Sequence, residues 1–132
     1  MSPKQPTKIL IVEDDIITAT AVERNLHKGG YQVTGITASA EEAIELAVAT
    51  EPDLVLMDIR LKGSMDGITA AQRIHALLNI PVIYLTAHSD PETLKRVLHS
   101  KAYGYITKPF TSEHLHDTIQ QALEWHKARS SL

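Results

Sequence analysis

The 132-residue sequence contains no cysteine, which excludes disulfides, thiolate nucleophiles, thiolate zinc sites and iron–sulfur clusters. It has no basic excess. Thirteen Lys and Arg against sixteen Asp and Glu give a formal net charge of −3 and a pI of about 6.1. A chain that tracks phosphate backbones would show the opposite balance. No apolar run approaches the roughly 18 residues needed to cross a bilayer. Met1–Thr7 is polar and carries two prolines, so it has no signal-peptide stretch. The expectation is a soluble cytoplasmic domain with no direct nucleic-acid and no membrane partner. Hydrophobic residues at 43% and charged residues at 22% match an average globular domain, which excludes intrinsic disorder and fibrous architectures. The length is that of one domain.

What is present is an alternation of periods. Short apolar runs at Lys8–Val12, Gln32–Thr37, Asp53–Met57, Pro81–Leu85 and Tyr103–Ile106 read as strands. Three of them, ILIV, LVLM and VIYL, are continuously apolar, as in a parallel sheet covered on both faces. Each run is followed by a helical pattern. The first helix would bury Ala19, Val22 and Leu26 and stop at Gly29–Gly30. The second opens on Ser39 with Glu42 three residues on, a capping-box pair. The third carries Ile68, Ala71, Ile74 and Leu78. The fourth opens on Asp90 and Pro91. The fifth starts near Thr111 or Ser112, buries Leu115, Ile119 and Ala122, and ends near His126. Five βα units with right-handed crossovers make an α/β, doubly wound open sheet, expected over residues 8–128 between tails at 1–7 and 129–132.

Such a sheet holds its site at the carboxyl ends of its strands. Glu13, Asp14 and Asp15 follow the first strand and Asp58 the third, while Thr86 ends the fourth and Thr107, Lys108 and Pro109 end the fifth. Several carboxylates in one crevice repel one another. A hard divalent cation removes that repulsion, and oxygen-only ligands select Mg²⁺ or Mn²⁺. Lys108 and Thr86 add a positive charge and a hydrogen bond for something anionic beside the metal. Together these groups describe a phosphoryl-transfer site in which a carboxylate can be the nucleophile. Asp15 reads as the cap of the first helix.

LIVEDD, VLMDIRL, PVIYLTA and GYITKPF, in that order and at these spacings, resemble the receiver domain of two-component response regulators over about Lys8 to His126. The resemblance implies a flavodoxin-like (βα)5 three-layer sandwich with strand order 2-1-3-4-5. It implies that Asp58 is the phosphoacceptor and that Mg²⁺, or Mn²⁺, is held by Glu13, Asp14, Asp58 and the backbone carbonyl of Arg60. Lys108 and Thr86 would then act at the phosphoryl group, and Thr86 and Tyr105 would form the switch. A cis Lys108–Pro109 peptide is also implied. The segment after Asp58 departs from the family pattern, lacking its usual proline and running one residue longer before Gly67.

The partners implied are a sensor histidine kinase or phosphotransfer protein and a downstream protein effector. The effector would be met on the face of the fourth helix, fifth strand and fifth helix, where Lys95, His99, Lys101 and Tyr103 would be displayed; homodimerisation is left open. The chain would be a single-domain regulator or a piece of a larger one. The alternatives are a Mg²⁺-dependent aspartyl-phosphate phosphatase, which would want a second acid where Arg60 stands, and a phosphorylation-independent interaction module. His27, His75, His99 and His126 read as solvated helix positions, His114 and His116 as a poor metal pair, and His88 as a rim residue. Gly63 and Gly67 read as loop punctuation.

Overall fold

Short apolar runs and longer 3.6-period segments alternate along the chain, and the computed structural model folds them into strands and helices. It describes residues 5–61, 63–87, 91–100 and 102–130. In chain order the elements are β1 (Lys8–Val12), α1 (Ile16–Lys28), β2 (Gln32–Thr37), α2 (Ala40–Thr50), β3 (Leu54–Asp58), α3 (Gly67–Leu78), β4 (Val82–Thr86), α4 (Pro91–His99), β5 (Gly104–Thr107) and α5 (Ser112–Ser130). All paired strands are parallel, in the order β2-β1-β3-β4-β5. The expected Asp90 cap of α4, together with His88 and Lys101, lies outside the described residues.

Three strands begin and end one residue later than their apolar runs. Asp53 is held at the sheet edge, its N–H donating to Lys8 O and its carboxylate accepting the Lys8 N–H, both at 2.7 Å. Pro81 has no N–H for the ladder, and contributes only its carbonyl to Val55. The shift matters because Asp58 and Thr86 become the last residues of β3 and β4 rather than loop residues.

The period of two divides the core between the faces of the sheet. Leu10, Val12, Val55, Met57, Val82 and Tyr84 pack with residues of α2 and α3 and with Val97 of α4. Ile9, Ile11, Leu54, Leu56, Ile83, Leu85 and Ile106 pack with residues of α1 and α5. Each such aliphatic side chain, fully buried, contributes on the order of 1.5–3 kcal/mol, so the faces can be exchanged only at the cost of the whole core.

Helix ends follow local chemistry. At the end of α1, Tyr31 N–H donates to Leu26 O and Gly30 N–H to His27 O, a Schellman closure in which Gly30 takes the left-handed φ of 86°. The Ser39 hydroxyl accepts the Glu42 N–H, but the reciprocal half of the expected capping box is absent, because Thr37 Oγ1 takes the Ser39 N–H. The end of α5 lies at Ser130 rather than near His126, since no glycine or proline follows Trp125 to stop it.

Asp66 caps α3, its Oδ1 accepting the Thr69 N–H at 2.9 Å and its Oδ2 meeting Arg96 of α4 at 2.7 Å. Burial alone would raise its pKa, but the Thr69 amide and the Arg96 guanidinium outweigh it and hold the carboxyl below the ordinary 3.8. A group depressed in the folded state adds stability that is complete above its unfolded pKa and fades as pH falls through the folded value. Asp66→Asn keeps a capping oxygen but loses the charge. Urea unfolding should therefore find it less stable than the native protein at neutral pH, with the gap closing as pH drops past 3.8.

Candidate functional site

Counting by twos carries one face of the sheet up to its rim. Ile9 and Ile11 lead to Glu13, Leu54 and Leu56 lead to Asp58, and Ile106 leads to Lys108. The contacts bear this out: the Lys108 ammonium forms an ion pair with Glu13 Oε1 and lies 3.3 Å from Asp58 Oδ2. Glu13, Asp58 and Thr86 are 3%, 7% and 4% exposed. The remaining oxygens of the two buried acids are engaged by backbone. Glu13 Oε2 accepts the Asp15 N–H at 3.2 Å, and Asp58 Oδ1 accepts the Arg60 N–H at 3.1 Å.

Among the described residues, Glu13, Asp14 and Asp58 each offer a carboxylate oxygen within 4.8 Å of the others, a group able to hold a metal ion. Asp15 is not part of it. Its Oδ1 accepts the Ile17 N–H at 3.1 Å and its Oδ2 the Thr18 hydroxyl at 2.7 Å, the capping role read from the sequence. Hydrogen bonds from Thr18 and then Ile17 hold its carboxyl below the ordinary range.

The charge balance is uneven. Burial, then the neighbouring Asp58 carboxyl, pushes the Glu13 carboxyl above its ordinary 4.5 despite Lys108. Burial works against the Lys108 cation, yet Glu13 and Asp58 outweigh it and raise its pKa above 10.5. Burial thus dominates at Glu13 and acidic neighbours at Lys108, and two acids share a single ammonium at the strand edge. Such a site takes up positive charge readily, and its oxygen-only donors suit Mg²⁺.

Thr86 reaches the rim on the other face, since Val82, Tyr84 and Thr86 alternate with Ile83 and Leu85. Its carbonyl accepts the Lys108 N–H at 2.8 Å, and the Lys108–Pro109 peptide is cis. Tyr105 stands opposite Tyr84 in the β4–β5 register and is 43% exposed, directed to the surface rather than into the cluster. Arg60 is exposed, contributing its backbone N–H to Asp58.

One histidine reading changes, that of His126, while His116 remains exposed and meets a tyrosine. His126 is half-buried, with its Nδ1 3.0 Å from the Tyr103 hydroxyl, and His116 Nδ1 lies 3.3 Å from the Tyr31 hydroxyl. Where α5 crosses the sheet, these partly buried tyrosines need hydrogen-bond partners, and the histidines supply them. Tyr103 is accordingly packed against the core rather than displayed.

Gly67 is also more than punctuation. It is the first residue of α3, its N–H donates to Ile59 O at 2.9 Å, and a Cβ there would sit 1.9 Å from the Asp58 carbonyl oxygen. The Asp66–Gly67 pair ahead of an apolar helix carried the signal of a cap. The close approach to Asp58 had no signal in the sequence.

The sequence matches the family model of the response regulator receiver domain over residues 9–120. It is 34% identical over 118 residues to the transcriptional regulatory protein PdtaR of Mycobacterium tuberculosis, covering 89% of this chain and 57% of that protein. It is 38% identical over 116 residues to the transcriptional regulatory protein ZraR of Escherichia coli, covering 87% of this chain and 26% of that protein. The chain thus spans little more than half of the first relative and about a quarter of the second. A solved signal receiver domain of a modulated diguanylate cyclase from Desulfovibrio desulfuricans superposes with a TM-score of 0.90 at 35% identity, covering 95% of this chain and 99% of that one. A CheY-like receiver domain protein from Methanospirillum hungatei does so with a TM-score of 0.85 at 28% identity, with the same coverages.

Two outcomes follow from the geometry. Asp14→Ala should lose most Mg²⁺ binding in a calorimetric titration, whereas Asp15→Ala should retain it and lose only some helix stability, because the Asp15 oxygens are already committed to the cap. Gly67→Ala should cost roughly 1–3 kcal/mol by overpacking, read by urea unfolding, because the added methyl can be accommodated only by moving backbone at Asp58.

Proposed function

The chain belongs to the response regulator receiver family, and from that premise we propose that Asp58 accepts a phosphoryl group from the phosphohistidine of a sensor histidine kinase or phosphotransfer protein, in a Mg²⁺-dependent reaction that switches the domain for a protein partner. The observation that carries this reading is the placement of Asp58. It is a buried carboxylate at a strand end with an ammonium 3.3 Å away and two further carboxylates beside it.

An Asp58 oxygen attacks phosphorus, the P–N bond breaks with its electron pair remaining on the imidazole, and an acyl phosphate results. Charge that was on the carboxylate then lies on the phosphoryl oxygens. Lys108, kept cationic by its raised pKa, already touches Asp58 and can follow that charge. Glu13, Asp14, Asp58 and the Arg60 carbonyl would hold Mg²⁺, which when bound would neutralise the acidic cluster and the incoming phosphoryl oxygens. The Arg60 N–H keeps one Asp58 oxygen oriented.

The donor must seat at the rim. Ile16 and Ile17 of α1 are each 77% exposed there, and Ile17 and Ala21 line a groove with Lys108, Pro109 and Phe110. An apolar pair beside the cleft suits a protein donor better than a small phosphoester. On the opposite face, the Thr86 hydroxyl and the exposed Tyr105 would convert the acyl phosphate into a shift between two conformations. The readout would be the face of α4, β5 and α5, where Lys95 and His99 are exposed. No helix among the described residues is long and apolar enough to cross a membrane.

Incubation with acetyl phosphate and Mg²⁺ should add one phosphoryl group to the wild-type chain by intact mass spectrometry and none to Asp58→Asn, whose amide has the same shape but is not nucleophilic. Equal labelling of the two would show that Asp58 is not the acceptor.

A further inference from the structure

The helix α4 is attached differently from the other four. Val97 is its one fully buried side chain among the described residues, and Leu98 is 76% exposed. Apolar packing therefore does little to hold it, and among the described residues polar ties to Tyr84 and Asp66 contribute. At its carboxyl end, the hydroxyl of Tyr84 donates to Ser100 Oγ at 3.0 Å, and Ser100 Oγ donates in turn to Val97 O at 2.7 Å. Tyr84 is fully buried in β4, so its hydroxyl cannot exchange that partner for water without opening the core. Nearer the middle, Arg96 pairs with Asp66 at 2.7 Å.

Both ties lead back to the phosphorylation site by short covalent or steric paths. Tyr84 is two residues before Thr86 on the same face of β4, and it stands opposite Tyr105 in the register. Asp66 precedes Gly67, whose backbone lies against the Asp58 carbonyl. Thr86 is thus connected along β4 to one tie, and the Asp58 strand end through Gly67 to the other.

We propose that the Tyr84–Ser100 hydrogen bond and the Asp66–Arg96 ion pair form a latch that holds α4 in its resting position and so opposes the switch. The proposal rests on the reading of Asp58 as phosphoacceptor for its regulatory meaning, though the latch itself belongs to the unphosphorylated protein. Tyr84→Phe removes the hydroxyl while keeping the ring that fills the core, and Arg96→Gln removes the ion pair at the surface.

The test is amide hydrogen exchange over residues 91–100 of the full unphosphorylated chain, wild type against both variants, with the initial rate of Asp58 labelling by acetyl phosphate measured beside it. In Tyr84→Phe the α4 amides should exchange roughly three- to tenfold faster, the equivalent of one hydrogen bond, with α1 unchanged and labelling faster by a similar factor. Arg96→Gln should move both readouts the same way by less, since its pair is partly exposed. Exchange that is unchanged in α4, or that rises equally in α1, overturns the latch. Faster α4 exchange with unchanged labelling overturns its opposition to the switch. A wild-type chain that does not label at all overturns the functional reading instead, and is told apart because the exchange measurement needs no phosphorylation.

Discussion

A single ammonium shared between two buried carboxylates organises this molecule. Lys108 bridges Glu13 and Asp58, which arrive on strands that are neighbours in space but 45 residues apart in sequence. The pairing can form only if β1, β3 and β5 end at one level, with their side chains on one face. That condition is met by the parallel sheet, whose strands all run the same way, and by the alternation of faces along β1, β3 and β5. The core beneath the bridge enforces the register: a slip of one residue would turn Asp58 to the other face and bring Leu54 and Leu56 with it. The apolar packing therefore sets the height and direction of the charges, which remain unbalanced.

The imbalance is what makes the site receptive. An acid whose pKa is raised by burial and by a neighbouring acid, as Glu13 is, favours the arrival of a cation. A lysine whose pKa is raised by its acidic neighbours, as Lys108 is, keeps its charge available for an anion. A cation on one side and an anion on the other would answer complementary demands of one cluster. Around it the backbone is arranged to hold position: Arg60 N–H on Asp58, Asp15 N–H on Glu13, and Gly67 pressed against the Asp58 carbonyl. A side chain in place of Gly67 would separate α3 from the strand end that carries Asp58.

The two faces of the sheet do different work. Under α1 and α5, continuous apolar packing meets the acidic cluster directly, and α5 is fastened further by the Tyr31–His116 and Tyr103–His126 contacts. Under α4 the packing is thin and polar ties substitute for it. Hydrophobic contact is forgiving in direction but costly to lose, whereas a few hydrogen bonds can be broken one at a time, so α4 is held less firmly than α2 and α3 on the same face.

The alternation of apolar runs with 3.6-residue patterns, the capping residues and the acidic ends of the first and third strands were legible in the sequence, because each depends on neighbours a few residues away. Asp14, Asp58 and Lys108 could be picked out because a parallel sheet must gather its strand ends on one edge. The one-residue shift of β3 and β4 was not legible, since it turns on how Asp53 and Pro81 meet the adjacent strand. Nor was the loss of half the Ser39 capping box to Thr37, the pairing of His116 and His126 with tyrosines, or the tie from Tyr84 to Ser100. In every one of these cases a polar group chose between partners that the chain offers only after folding. Composition and period determine which segments are buried; which of several nearby hydrogen-bond partners a buried polar group takes is decided by ångström-scale distances that exist only in the tertiary structure.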